Sequence, residues 1–496
     1  MADLNLKLLD YSMLHVDCEP GVAKELSEYF SFYVPGYKFM PAYKNRVWDG
    51  KIRLFNHTTQ EISAGLYIQI HKFCAERNYT VAKTENPSYG IPGETYKIPD
   101  WDQWLDNEVS HQLPFPPRNY QEEAIKVALK SSRAILLSPT GSGKSYIIYL
   151  IMKYYMTVLE DKGKILIIVP TTSLVEQMYS DFESYGMLVE KACHRIYSGK
   201  DKTTDKHVII STWQSIYKYP KKWFEQFGMV IGDECHGFKS KSLSSIMNKA
   251  TEARYRFGTT GTLDGTQTHK LVLEGLFGPV YKVTTTKKLQ DEETLAPLDI
   301  KVLLLQYSEE VRKDFTKKTY QEEIDFIIGN AGRNRLIRNL ALAAKGNTLV
   351  LFNRVDAHGK PLYEMINSKA AEGRKIFFVS GEVATSDRES IRKIVEKQKD
   401  AIIVASLGTF STGINIRNLH NIIFASPSKS QIKVLQSIGR GLRVSDDGRE
   451  TKLFDIADDL HWRSKENYTL IHSGERVKIY EKEEFKFKVI KVDIDD

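Results

Sequence analysis

Two stretches of the chain carry residues that could act together on a phosphate anhydride. The first, Ser138-Pro139-Thr140-Gly141-Ser142-Gly143-Lys144-Ser145, follows the apolar run Arg133–Leu137 and precedes a helix-like segment, Tyr146–Leu159. Glycines at 141 and 143 let backbone N–H groups converge on phosphate oxygens, and the following helix offers its positive end to them. Thr140 to Gly143 would cradle the phosphates, Lys144 would contact the β- and γ-phosphates, and Ser145 would ligate magnesium. The second stretch, Met229-Val-Ile-Gly-Asp233-Glu234-Cys235-His236, is an apolar run that ends in two carboxylates. Asp233 can hold magnesium through water, and Glu234 can orient and deprotonate an attacking water. ATP and Mg2+ are the ligands these residues anticipate.

Three further groups fit around that pair. Tyr120 and Gln121 close the tetrapeptide Arg118–Gln121, and a glutamine amide can pair with the N6/N7 edge of adenine. Far down the chain, Gln436-Ser-Ile-Gly-Arg440-Gly-Leu-Arg443 places two arginines three apart, so both can face one target. Permanent cations of this kind neutralise charge on a transferring phosphoryl group, which would make Gln436, Arg440 and Arg443 part of the catalytic set. A basic helix face gripping nucleic acid is the alternative for the same segment.

Elements that could position these groups recur with one rhythm. Short apolar runs, each closed by a polar or glycine-containing loop and followed by a helix-like segment, indicate a parallel α/β sheet. One set comprises Ala134–Leu137, Ile165–Val169, Val208–Ile210, Met229–Ile231 and Tyr255–Phe257; a second comprises Thr348–Phe352, Ile376–Val379, Ile402–Ala405, Ile422–Ala425 and Lys452–Phe454. The motifs fall at the C-terminal ends of these runs, where open α/β sheets bind ligands. Upstream, His111–Arg118 (HQLPFPPR) holds Pro114, Pro116 and Pro117 and reads as a connector. The expected organisation is a small α+β module at 1–110, with a helix around Pro20–Tyr33, then one α/β lobe at 111–295 and another at 296–496.

Composition narrows the class without naming it. With 42% hydrophobic and 27% charged residues, the 496-residue chain fits a folded globular protein, and no apolar run is long enough to span a bilayer. No membrane partner is expected. Cys18, Cys74, Cys193 and Cys235 lie far apart, which argues against a disulfide framework or structural zinc and suits a reducing cytoplasm. The net charge is +7, yet residues 1–112 hold 11 basic against 15 acidic residues. The basic excess therefore lies in the two lobes, where a polyanion would be held.

Together Gln121, the SPTGSGKS loop, DECH, Gly258–Thr262 (GTTGT) and QSIGRGLR resemble the motif series of superfamily-two helicases over residues 116–460. The resemblance implies two tandem RecA-like lobes with ATP in the cleft between them. It further implies that His236, Thr260 and Thr262 couple ATP state to nucleic-acid grip, although Thr260-Gly261-Thr262 stands where the family usually has S-A-T. Backbone contacts to nucleic acid would come from Pro170, Thr171, Thr212, Trp213, Gln214, Asn353, Arg354, Ser380, Gly381, Ser411 and Thr412, with Gly413 at the nucleotide. Hydroxyls and backbone amides of this kind hold a strand without reading its sequence.

The N-terminal module contains one distinctive stretch. Tyr37–Arg53 includes Lys38, Lys44, Arg46, Lys51 and Arg53 beside Tyr37, Phe39, Tyr43 and Trp48, with Asp49 as its single acid. Lys44, Arg46, Trp48, Lys51 and Arg53 could bind phosphates and stack on bases. A plain hairpin with Val47 and Trp48 packed inward and Asp49-Gly50 as its turn is the alternative, and both can hold at once. The W-D-G-K-I-R-L-F segment and FSTGINIRNLH extend the resemblance to the phage helicases of recombination and branch migration. That implies an ATP-dependent motor on branched DNA with single-stranded segments, namely Holliday junctions, D-loops, R-loops with their RNA–DNA hybrids, and stalled forks. Recombination or replication proteins would be its partners, and the host cytoplasm its location. Rival readings are a restriction-system motor subunit, an RNA-remodelling ATPase, and an annealing protein with a vestigial ATPase. The tail from Glu481 to Asp496 receives no assignment.

Overall fold

The computed structural model describes residues 2–34, 36–83, 101–111, 113–158, 163–197, 203–263, 267–383, 385–413, 416, 418–427, 438–439 and 450–494. The chain forms two compact units, residues 1–138 with 143–283, and residues 284–496 with the loop tip 139–142.

The first unit begins with a small α+β module. Its strands β1 (Leu4–Leu8) and β2 (Met13–Cys18) pair antiparallel, with Leu6 opposite Val16. Leu4 and Leu6 are buried while Asn5 and Lys7 face solvent, the period of two expected for a one-sided sheet. β3 (Ser31–Tyr33) pairs antiparallel with β4 (Lys51–Arg53), while β5 (Phe55–Asn56), β6 (Glu61–Ser63) and β7 (Val81–Lys83) complete a sheet ordered β5-β6-β2-β1-β7. Helices Pro20–Tyr29 and Tyr67–Arg77 cover it. The helix expected around Pro20–Tyr33 stops early, because Ser31–Tyr33 is taken into β3.

A parallel seven-stranded sheet forms the rest of that unit. Its strands are β8 (Arg133–Leu137), β9 (Lys164–Val169), β10 (Cys193–Ile196), β11 (Val208–Thr212), β12 (Phe227–Asp233), β13 (Tyr255–Thr260) and β14 (Val280–Lys282). They are ordered β10-β11-β9-β12-β13-β8-β14. Every residue of β11 and β13 is buried, as helices on both faces require. Helix Trp101–His111 packs on this sheet's helices: Trp104 Nε1 donates to Thr157 Oγ1 at 3.0 Å, Lys126 pairs with Asp102 at 3.1 Å, and buried Glu108 pairs with Lys153.

The α+β module is fastened to the N-terminal ends of β8 and β13. Arg256, fully buried, donates to Ser12 Oγ at 2.8 Å and to the carbonyls of Ala253 and Met247 at 2.9 Å each. Arg133 donates to the Tyr11 carbonyl, and the Tyr11 N–H reaches Thr251 O at 3.1 Å. Gly65 lies so close to the helix Gln267–Phe277 that an added Cβ would stand 2.0 Å from Glu274 O. Burial depresses both guanidinium pKa values, Arg133 to about 10, because each is held almost wholly by neutral acceptors.

The second unit is another parallel seven-stranded sheet. It comprises β15 (Leu298–Gln306), β16 (Thr348–Phe352), β17 (Ile376–Val379), β18 (Ile402–Ser406), β19 (Asn421–Phe424), β20 (Thr451–Asp459) and β21 (Phe487–Asp493), ordered β17-β18-β16-β19-β20-β15-β21. Two fully buried ion pairs fix helices to β20. Arg333 Nε meets Asp458 at 2.8 Å, joined by the Tyr307 hydroxyl at 2.8 Å; Arg476 meets Asp455 at 2.8 Å, joined by the Tyr480 hydroxyl at 2.9 Å. Removing one partner of such a pair strands a buried charge and costs about 3–5 kcal/mol. The chain is thus α/β, with two tandem RecA-like parallel-sheet lobes behind a small α+β domain.

Candidate nucleotide and nucleic-acid sites

The phosphate loop leaves β8 at Leu137, and its first residue is tied down when the Ser138 N–H donates to Thr260 O at 2.9 Å. The loop then turns through positive φ at Gly141 (+89°) and Gly143 (+79°), which L side chains rarely adopt. Space adds a second constraint at Gly143, where a Cβ would stand 2.4 Å from Gln121 Nε2. Ser142 Oγ donates to Pro139 O at 2.7 Å, and the helix begins at Lys144, running to Val158. Lys144 Nζ rests on Ser138 O at 3.3 Å, while Ser145 Oγ lies 3.0 Å from the Tyr185 hydroxyl. Tyr120 and Gln121 open the neighbouring helix Asn119–Ser131. Gln121 Oε1 accepts from the Arg118 N–H at 2.9 Å, and the Tyr120 hydroxyl accepts from Arg118 Nη1 at 3.1 Å. Thr140 is partly buried at the loop tip.

Two strands away, β12 delivers its carboxylates to the same edge. Asp233 accepts from Thr259 Oγ1 at 2.7 Å. Burial, and then the neighbouring Glu234 charge, raise the Asp233 pKa to about 6, against the opposing pull of Lys144. Glu234 adopts the left-handed φ of +49°, a strained conformation for a non-glycine residue and one often found at functional positions. His236 Nδ1 lies 3.3 Å from Glu234 Oε2 and 3.0 Å from Thr260 Oγ1, and Thr260 in turn donates to Thr262 O at 2.9 Å. A Cβ on Gly258 would stand 2.8 Å from buried Cys235 Sγ, so DECH and GTTGT interlock by packing as well as by hydrogen bonds. The three residues expected to couple sites, His236, Thr260 and Thr262, form one hydrogen-bonded chain.

Oxygen donors of this kind suit a hard divalent cation, which takes carboxylate and hydroxyl ligands alongside water and substrate phosphates. No group of three or more His, Cys, Asp or Glu stands together as a metal cage among the described residues. Gln436, Arg440 and Arg443 lie outside the described residues. Thr259 and Tyr185 touch the expected ligands without having been singled out in the sequence. Thr259 stands inside the GTTGT motif and could have been found there, whereas Tyr185, forty residues from Ser145, left no signal.

The residues expected to face nucleic acid occupy the remaining strand ends. In the first unit Thr171, at the end of β9, caps helix Thr172–Ser184, its Oγ1 accepting from Leu174 N–H at 3.4 Å, with Pro170 just before it. Thr212, at the end of β11, is buried and bonds Ser215 Oγ at 2.9 Å. Trp213 packs edge-on against Tyr217, and Gln214 is exposed. In the second unit Asn353 Nδ2 donates to Pro427 O at 3.0 Å, and Arg354 pairs with Asp325 at 2.5 Å. Ser380 is buried and accepts from Glu382 N–H at 3.3 Å, while Gly381 O accepts from Arg388 at 3.1 Å. Ser411, Thr412 and Gly413 end the helix Leu407–Gly413.

In the N-terminal module, the inward hairpin does not form. Val47 is 82% exposed, and Tyr37–Phe39 and Pro41–Lys44 are short helical turns, because β4 pairs with Ser31–Tyr33 rather than with the residues before Asp49-Gly50. Trp48 is half-buried, with Nε1 donating to Lys51 O at 2.8 Å; Lys51 lies over the Tyr33 ring at 5.0 Å, and Arg53 pairs with Asp49. Lys44 and Arg46 are exposed.

Comparison with known proteins finds similarity along nearly the whole chain. Residues 3–83 match the family model "DNA helicase UvsW, N-terminal", residues 114–265 match "Type III restriction enzyme, res subunit", and residues 332–445 match "Helicase conserved C-terminal domain". The ATP-dependent DNA helicase uvsW of Enterobacteria phage T4 is 37% identical over 504 residues, covering 98% of both chains. The chain belongs to the UvsW family of superfamily-two helicases. It is thus an ATP-dependent enzyme of that superfamily. A crystal structure of T4 UvsW superposes with a TM-score of 0.51 at 34% identity, covering 99% of both chains. A DNA 3'-5' translocase XPB2 of Sulfurisphaera tokodaii is 25% identical, covering 71% of this chain and 85% of its own. Among the described residues of this UvsW relative, no helix is long and apolar enough to cross a membrane.

Proposed function

We propose that this protein is a DNA motor that remodels branched substrates, namely Holliday junctions, D-loops, R-loops and stalled forks, in recombination, repair and replication restart in the host cytoplasm. The observation that carries the reading is the convergence of Lys144 with the Asp233–Glu234 pair at one sheet edge, beside the strand ends after β9 and β11 whose loops we assign to nucleic acid.

In this reading the glycine loop from Thr140 to Gly143 cradles the phosphates, Lys144 draws charge from the β- and γ-phosphates, and Gln121 beside Tyr120 selects adenine. Ser145 and Asp233 would hold magnesium, which would supply charge neutralisation at the phosphates. Glu234 orients water and takes its proton. His236, held between Glu234 and Thr260, reports the state of that carboxylate to the strand end at Thr262. Gln436, Arg440, Arg443 and Gly413 belong to the second lobe, and their assignment to the nucleotide rests on their motifs. The three-domain division at 110 and 295 and the backbone contacts of Pro170 to Gln214 and Asn353 to Thr412 belong to the same reading.

Lys144→Ala and Glu234→Gln should each abolish DNA-stimulated ATP turnover while leaving the circular dichroism spectrum unchanged. Turnover at the wild-type rate in either purified variant refutes the assignment. Unwinding of forks, Holliday junctions and R-loops beside duplex RNA distinguishes branched DNA from the RNA-remodelling and restriction-motor readings.

A further inference from the structure

The turn that carries Glu234 is held by a helix that belongs to two cores at once. Glu234 sits at a left-handed φ of +49°, and a non-glycine residue keeps such a conformation only where its surroundings over-determine it. The chain then turns through Cys235–Lys239. Buried His269, near the start of helix Gln267–Phe277, lies with Nε2 2.9 Å from the His236 carbonyl of that turn. A carbonyl can only accept, so Nε2 carries the proton and donates it. The far end of the same helix grips the motif a second time. The Phe277 ring meets the Phe238 ring edge-on at 5.1 Å, and a Cβ on Gly232, just before Asp233, would stand 2.8 Å from both.

The helical period sorts this element into two faces. His269, Leu273, Leu276 and Phe277 share one, and the last three belong to the apolar core of the first lobe. Leu271, Glu274 and Gly275 share the other, which is docked on the α+β module. Leu271 belongs to the module's core, and Gln69 Nε2 donates to Glu274 Oε2 at 2.9 Å. Backbones approach closely there: a Cβ on Gly65 would stand 2.0 Å from Glu274 O, and one on Gly275 would stand 3.0 Å from Ser63 Cβ. A helix moves as a rigid unit, so a displacement imposed by the module on one face reaches His269 on the other.

We infer that His269 is a positioning residue for ATP hydrolysis: it fixes the His236 carbonyl and thereby the strained turn that presents Glu234, and the N-terminal module sets its place through helix Gln267–Phe277. The inference rests on the reading of Glu234 as the group that orients water, and adds what holds that carboxylate. Without the tie the turn relaxes and the carboxylate leaves the line of attack. The phosphate loop stands on another strand and still binds nucleotide, so the loss falls on kcat and spares KM.

Full-length variants are assayed for DNA-stimulated ATP turnover and, separately, for binding of a fluorescent ATP analogue. His269→Met keeps bulk and removes the donor: kcat should fall about tenfold, while KM for ATP and analogue binding stay within about twofold of wild type. His269→Gln can donate an amide N–H from near the Nε2 position and should recover kcat to within about threefold of wild type. Gly65→Ala presses on the module face of the helix. It should lower kcat about threefold in the wild-type background and by less than about 1.5-fold in His269→Met, where the tie it acts through is already gone. Wild-type kcat in His269→Met, equal loss in His269→Met and His269→Gln, or a Gly65→Ala effect of one size in both backgrounds overturns the inference. Where His269→Met does not fold, a folded His269→Gln that has lost about tenfold in kcat overturns it equally. Turnover by the wild-type protein, and its loss in Glu234→Gln, check the motor reading on their own.

Discussion

Asp233 should make the first lobe less stable than it could be, and the size of that deficit can be worked from its surroundings. Folding moves this carboxyl from an ordinary value of 3.8 to about 6, chiefly through burial and secondly through the Glu234 charge. The folded protein therefore keeps a proton that the unfolded chain has released, and stability declines as pH rises from 3.8 to 6, then levels off. At neutral pH the deficit is about 3 kcal/mol. Asp233→Asn keeps an oxygen to accept the Thr259 hydroxyl, bonded at 2.7 Å, and removes the buried charge. Scanning calorimetry in chelator, without nucleotide, should place the variant's first-unit transition roughly 5 °C above wild type at about pH 7.5, with the gap closing near pH 4. ATP turnover should disappear in the same variant. A variant no more stable than wild type at neutral pH, or a gap independent of pH, refutes the reasoning.

The second unit should respond to pH with the opposite sign. Buried His358, bonded to Ser426 Oγ at 3.0 Å and Asn334 Oδ1 at 3.2 Å, is pushed down to about 3 by burial and by Arg333. Its contribution is complete above pH 6.5 and is lost as pH falls toward 3, about 2 kcal/mol by pH 5; His358→Gln should flatten that acid limb in urea unfolding of the full chain. Gly65→Ala would drive a Cβ to 2.0 Å from Glu274 O and 2.9 Å from Gly278 N, both backbone atoms that cannot swing aside. It should cost about 1–3 kcal/mol and speed proteolysis of residues 1–83, and an unchanged proteolysis rate would contradict the docking described.

The strands that carry motifs were legible because full burial on both faces writes them as uninterrupted apolar runs: β9, β12, β16 and β18 lie within a residue or two of their expected places. β10, β14 and β21 are edge strands, half in solvent, and their sequences alternate or break; β21 reads FKVIKVD, with lysines between its apolar residues. β15 is apolar enough to read, but no chemical motif stands at its end to draw attention to it. The residues proposed for the ATP site stand out in the sequence by type and order, whereas the contacts that surround them do not. Thr259 on Asp233 and Tyr185 on Ser145 depend on strand register and on a helix end, neither of which leaves a local pattern. The N-terminal hairpin misled because Asp49-Gly50 is good turn chemistry, yet β4 found its partner at Ser31–Tyr33.

The pairing of β15 with β21 also sets an order of events during synthesis. β15 opens the second sheet, but one of its neighbours, β20, begins at Thr451 and the other, β21, at Phe487. At ordinary ribosomal speeds, roughly 10–40 s separate the emergence of β15 from that of its last partner. Until β20 emerges LDIKVLLLQ is an apolar strand with both ladders vacant, and until β21 emerges one ladder stays open, the kind of segment that invites pairing with another nascent chain. Lys488 and Lys491, on the strand that finally covers one side, leave the finished edge charged and protected.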